Sequence, residues 1–292
     1  MELRLMFRLY YENSLIHKAA GTCEYERAKI KRLLKLFDSL GLYDTSQIDK
    51  TAFNGLISSL KQKVSNKTIN KLVLLTKLAY RFSEIEFDYL QGFPKLKEEK
   101  RRFNIIEQNE LSKVMTFVVS SDSSIGNNLL YQTCIVLMIE TGVRANELLN
   151  IRIKHINFAD RSILLTTTKT KKERYVFFTK LSEKYIKLIL AHGPKRELLL
   201  YNFLKSRSAL HRDIKYMIDK LKKELNISKL HPHMFRHTFA TLAYYNDIDV
   251  MVLKELLGHE NLTTTQIYTH ISKERLQAAY TRAFSHDKSN GH

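Results

Sequence analysis

The chain has 292 residues, 44% hydrophobic and 27% charged, with 48 Lys and Arg against 30 Asp and Glu. That length suits one large or two ordinary domains, and that apolar content excludes a disordered chain. The formal net charge of +18 calls for a polyanionic partner, nucleic acid first and an anionic membrane surface second.

Glu2, Arg4, Arg8 and Glu12 interrupt Met1 to Ala20, so this stretch does not read as a signal peptide. No later run of about 18 apolar residues could span a bilayer, which leaves a cytoplasmic protein as the expectation and no membrane partner. The two cysteines, Cys23 and Cys134, lie far apart and outside any CxxC pattern. Reduced, buried thiols are expected, not a disulfide framework or a zinc site. The spacing predicts helices over 22–41, capped by Thr22 and ended by Gly41, over 48–61 and over 66–82, with Leu72, Leu75, Leu78 and Ala79 inward. They form a small helical domain over residues 1–97. Lys61, Lys63, Lys67, Lys71 and Lys77 could line a phosphate backbone or simply face solvent. The charged run after Phe93-Pro94 breaks the periodicity, and residues 98–104 are taken as a basic linker.

The rest, 105–292, reads as a second domain. Helical patterns cover 106–119, with Gln108 or Asn109 near the cap, and 128–140, the latter apolar almost all round. Thr141-Gly142 interrupts it, and helix resumes at Val143 with Arg144 and Glu147 three apart and able to pair. Ile163 to Thr168 and Tyr175 to Phe178 read as a β-hairpin with the basic tip Lys169-Thr170-Lys171-Lys172-Glu173-Arg174. Helices follow over 181–190, 210–225 and 250–257, the last ended by Gly258. Between them His231-Pro232 opens another, which puts His233, Arg236 and His237 on one face near its N-terminus, a seat for an anion. A terminal helix over 274–284 carries the stripe Leu276, Ala279, Tyr280 and Phe284. The fold class is mainly α with a small β-sheet.

Two arginines, a hairpin lysine, several histidines and a tyrosine in one basic domain suit a single chemistry. Guanidiniums neutralise the non-bridging oxygens of a phosphodiester, a lysine protonates the leaving oxygen, and cationic neighbours activate an attacking phenol. His233 and His237 have the spacing of a zinc pair, but Met234 stands where HExxH needs Glu, so no metal is expected.

Thr141-Gly142-Val143-Arg144-Ala145-Asn146-Glu147-Leu148, His233-Met234-Phe235-Arg236-His237, Leu256-Leu257-Gly258-His259 and Thr264 to His270 resemble, in order and spacing, the signature boxes of the tyrosine recombinases. The likeness is close over roughly 105–284 and looser over the front domain, which is similar to the family's core-binding domain. It implies an α+β catalytic domain and a C-shaped clamp on DNA. It assigns Arg144 and Arg236 to the scissile phosphate, and Lys169 to the leaving 5′-oxygen, with Lys171 and Lys172 as competitors. It further assigns His233 and His259 to phosphate contact and proton transfer, Glu147 and His237 to support, and Tyr268 to the 3′-phosphotyrosine. Phe235 departs from the leucine common in relatives, and Asn246-Asp247 from a glycine. The resemblance is strongest to the Xer branch, which resolves chromosome dimers. A mobile-element integrase is the near rival, and a type IB topoisomerase or a non-catalytic DNA-binding module the remote ones. A tetramer on two sites with inverted half-sites is implied, the C-terminal helix passing between protomers, without cofactor, metal or ATP.

Overall fold

The computed structural model describes residues 1–98, 104–124, 126–166 and 173–259. The chain divides into two compact units, Met1–Arg102 and Phe103–His292.

The first unit is helical. Helix α1 (Leu3–His17) turns Leu3, Met6, Phe7, Tyr10 and Ser14 inward, an i, i+3, i+4 stripe within the stretch excluded above as a signal peptide. Its start is tied down by Leu3 N–H donating to Tyr43 O at 2.8 Å and by Thr45 N–H donating to Met1 O at 2.9 Å. Helix α2 (Ala20–Ser39) begins before the expected cap: Ala19 is the N-cap and Thr22 lies in the first turn, its N–H bonded to Ala19 O. The helix ends as expected. Gly41 takes φ +69°, and Gly41 and Leu42 donate to Asp38 O and Phe37 O, closing the last turn. Helix α3 (Lys50–Lys61) is capped by Asp49, which accepts from Ala52 N–H at 2.8 Å. Helix α4 (Asn66–Phe82) buries Leu72, Leu75 and Ala79, and a short α5 (Asp88–Gly92) closes the unit. Phe53 sits among Phe87, Tyr89 and Phe93 in edge-to-face packing. The chain beyond Phe93 stays with this unit through residue 98. Asn70 pairs with both backbone groups of Leu96, and Asn66 donates to Lys97 O.

The second unit is built around α7 (Asn128–Thr141), buried on nearly every face. It packs against α6 (Gln108–Ser120), α8 (Ala145–Leu149), α9 (Lys180–Ala191), α10 (His211–Leu225) and α11 (Pro232–Tyr245). Each of its fully buried aliphatic side chains contributes about 1.5–3 kcal/mol of transfer free energy. Its polar residues bond inward: Thr133 and Thr141 donate to the carbonyls four residues back, and Gln132 donates to Val118 O. Gly142 ends it with φ +60°. A Cβ there would stand 2.4 Å from Phe239 Cδ1, so only glycine fits.

A three-stranded antiparallel sheet, β1 (Ile156–Asn157), β2 (Ser162–Leu165) and β3 (Arg174–Phe177), lies at one side, with Ile163 opposite Val176 and Leu165 opposite Arg174. A second hairpin, β4 (Tyr201–Asn202) with β5 (Arg207–Ser208), is held by a buried polar chain. In it Asn127 donates to Asn202, Asn202 donates to Asp213, and Arg207 forks onto both Asp213 oxygens. The last described helix, α12 (Val250–Leu257), does not join the main core. Its Leu253 and Leu257 form a small separate cluster with Ala240, Ala243 and Tyr244 of α11.

Candidate active site

Arg144 and Glu147 meet where α7 turns into α8. Arg144 is the N-cap of α8, not a residue within a continuing helix. Its N–H donates to Glu147 Oε2 at 2.8 Å and its Nη1 to Oε1 at 2.8 Å. Glu147 is 2% exposed, and Arg174 also forks onto it, Nη1 to Oε1 at 2.9 Å and Nη2 to Oε2 at 2.8 Å. Burial alone would raise the Glu147 carboxyl. The hydrogen bonds and charge of Arg174, with those of Arg144, outweigh it and hold the group at about 2.

Three guanidiniums converge on three successive carbonyls at the C-terminal end of α12. Arg174 Nε donates to Leu256 O at 2.9 Å. Arg236 Nη2 and, at 3.4 Å, Arg144 Nη1 donate to Leu257 O. Arg144 Nη2 donates to Gly258 O at 3.2 Å. These carbonyls have no partner within the helix, and the helix end is negative, so cations belong there. Gly258 makes the approach possible: at φ +62° it presents no Cβ, which would lie 3.0 Å from Arg174 Cδ. Arg236 comes from α11, whose Pro232 stands at the first helical position as the sequence indicates. It is 4% exposed, and its Nη1 donates to Gly142 O at 2.8 Å. One αL turn therefore meets α11 twice: Gly142 admits Phe239, and its carbonyl fixes Arg236.

Histidines surround this cluster. On α11, His233 is exposed and His237 half-buried, their rings 6.4 Å apart, with His231 beyond at 6.5 Å from His233. Burial first, then the positive charge of His233, His231 and Arg236, pushes His237 down to about 4. His259 follows Gly258 directly. Burial, then Arg236, Arg144 and Arg174, pushes it down to about 4 as well. Both imidazoles are thus neutral at physiological pH. Among the described residues no three His, Cys, Asp or Glu side chains gather as metal ligands.

The structure brings together Arg144, Glu147, Arg236 and His259, with His233 and His237 on the adjoining helix. Lys169, Tyr268, His270 and the expected terminal helix lie outside the described residues. Arg174, in sequence part of the hairpin's basic tip, is turned inward with its side chain 8% exposed. Strand parity carried the signal: Arg174 is two residues before buried Val176 and shares its face. One carboxylate against three guanidiniums, beside two neutral imidazoles, can hold an oxyanion and accept a proton.

The sequence pattern of the phage integrase family matches residues 104–275. The chain belongs to that family. This integrase-family chain is 30% identical to a probable integrase/recombinase of Acholeplasma phage L2, with 94% of each chain aligned. It is also 30% identical to the tyrosine recombinase XerC of Oceanobacillus iheyensis, over 99% of this chain and 98% of that one. In fold it is similar to the Tn1549 transposon integrase bound to a circular intermediate DNA. The TM-score is 0.76 at 18% identity, covering 95% of this chain and 99% of the other. It is a tyrosine recombinase, an enzyme that cuts and rejoins DNA.

Proposed function

We propose that this recombinase acts site-specifically through a 3′-phosphotyrosine made by Tyr268. The observation that carries the reading is the excess of guanidinium over carboxylate at the end of α12, next to a neutral His259. Arg144 and Arg236 take the non-bridging oxygens of the scissile phosphate. The Tyr268 phenol attacks phosphorus and gives its proton to an imidazole, that of the neutral His259 or that of His233. The bond to the 5′-oxygen breaks, and that oxygen leaves as a hydroxyl with a proton from Lys169. Glu147 and His237 support the cluster. Phosphodiester energy is kept in the protein–DNA bond, so religation needs neither ATP nor metal.

The net charge of +18 supports binding to duplex DNA by both units, 1–97 and 105–292, joined by the linker 98–104. Two rounds of strand exchange pass through a Holliday junction in a homotetramer on two sites with inverted half-sites. The C-terminal helix is donated to the next protomer, a heterologous contact that closes into a ring. The biological role read first is Xer-type resolution of chromosome dimers in the cytoplasm, supported by the near full-length XerC relative. The phage relative, matched over 94% of both chains, favours a mobile-element integrase as the second reading.

Denaturing the protein on total DNA and sequencing the covalently attached strands tests all of this. Adducts at one chromosomal locus support dimer resolution, and adducts at element ends support integration. Scattered adducts with relaxation of supercoils indicate a topoisomerase, and no adduct overturns the recombinase assignment of the site.

A further inference from the structure

We propose that Arg174 is a positioning residue for strand cleavage, holding Glu147 and the Leu256 carbonyl in one grip and thereby setting where Arg144 and His259 stand. The inference rests on the recombinase reading of the site and adds to it a residue with no role in the signature boxes.

Geometry separates Arg174 from the other two arginines. It binds both oxygens of one carboxylate at 2.8 and 2.9 Å, and uses Nε for Leu256 O at 2.9 Å. That is a planar fork plus a third donor, all spent inside the protein. Arg144 is 21% exposed and donates to the carbonyls of Leu257 and Gly258, and Arg236 donates to that of Leu257. When those two turn to a phosphate, their bonds to α12 weaken. Arg174 does not face that choice, because all three nitrogens of its guanidinium are taken up by Glu147 and Leu256 O.

The position matters because of what it joins. Val176 of β3 and Leu148 of α8 belong to the main core, whereas Leu253 and Leu257 of α12 lie in the separate cluster with α11. Among the described residues, apolar packing alone therefore does not register the end of α12 against α8 and β3. Arg174 does so with three bonds, and Gly258 leaves it room. His259 hangs from that same turn, its N–H bonded to Lys254 O. A lysine could not replace this grip, since an ammonium is a point charge without the fork.

The test compares wild type, Arg174→Ala and Arg174→Lys on a nicked substrate carrying the sequence recovered from wild-type adducts. Covalent adduct formation and half-site binding are measured separately. Arg174→Ala should bind normally but form adduct about 10²-fold more slowly, the cost of a misplaced catalytic group. Arg174→Lys should remain slow. Free guanidinium at about 20 mM, far below denaturing concentrations, should speed Arg174→Ala and leave Arg174→Ala/Glu147→Gln unmoved. A merely destabilised variant would only suffer from guanidinium. Adduct formation at the wild-type rate in either single variant overturns the proposal, as does a loss matched by lost binding with no guanidinium recovery. If Arg174→Ala does not fold, Arg174→Lys decides by itself: folded and slow supports the role, folded and fast removes it. A wild-type protein that forms no adduct overturns the recombinase reading, a separate outcome.

Discussion

Glu147→Gln should cost the second unit about 3–5 kcal/mol of stability at neutral pH, as expected for one partner removed from a buried ion pair. The carboxylate accepts four hydrogen bonds of 2.8–2.9 Å, from Arg144 N–H, Arg144 Nη1 and both Nη atoms of Arg174. An amide keeps one acceptor and turns its NH2 toward a guanidinium. A second route gives the same size. The carboxyl lies at about 2 instead of 4.5, a preference for its charged form of about 3 kcal/mol. For a unit of this length the loss corresponds to roughly 6–20 °C in melting temperature. Urea unfolding of both proteins from pH 7 downward gives the measurement. The folded-state pKa is depressed, so the stabilisation is complete above 4.5 and is lost as pH falls from there through 2. A difference under about 1 kcal/mol at pH 7, the ordinary size of an exposed pair, would refute the account. So would one that does not shrink on acidification.

Gly142→Ala should cost about 2–5 kcal/mol, the sum of left-handed strain and overpacking against Phe239; Gly142→Ala/Phe239→Ala should remove the steric part, and urea midpoints check both. Tyr268→Phe should bind its site but yield no covalent adduct on denaturing gels, while Tyr244→Phe and Tyr245→Phe yield it normally. Lys169→Ala should cleave slowly and recover on DNA with sulfur at the 5′-bridging position, because a thiolate leaves without a proton; recovery in Lys171→Ala or Lys172→Ala instead would move the assignment. His259 is neutral to about 4 in the folded protein, so stability should fall as pH drops from 6.5 toward 4, and less so in His259→Gln. An NMR titration of the His259 ring with a midpoint above 6 would contradict this.

Much of the second unit was legible because its punctuation is stereochemical. Gly142 and Gly258 end helices in the αL region, and Pro232 starts one, each for a reason visible in a single residue. Apolar residues on almost every side of α7 announced its burial. Two-residue strands such as β4 and β5 have no period to read, and buried asparagines and an aspartate, not a hydrophobic pattern, hold them. Thr22 looked like a cap, but the helix extends past it because Ala19 can take the extended N-cap conformation. Arg144 and Glu147 were paired correctly by spacing. Spacing could not reveal that Arg174 competes for the same carboxylate from 27 residues away.

The isolation of α12 has a consequence for how the molecule opens. Among the described residues its apolar attachment is the small cluster of Leu253 and Leu257 with α11, and its far end is tied by arginine bonds to three carbonyls. Regions with few buried apolar contacts come apart without global unfolding. Amides of α12 should therefore exchange hydrogen through a sub-global opening, well ahead of those of α7, whose release requires the whole unit to unfold. The free energy of that opening is set largely by charge–dipole contacts, so salt should speed exchange in α12 while leaving α7 almost untouched. Ionic strength then acts on the enzyme twice, on its grip on DNA and on the latch that holds His259 in place.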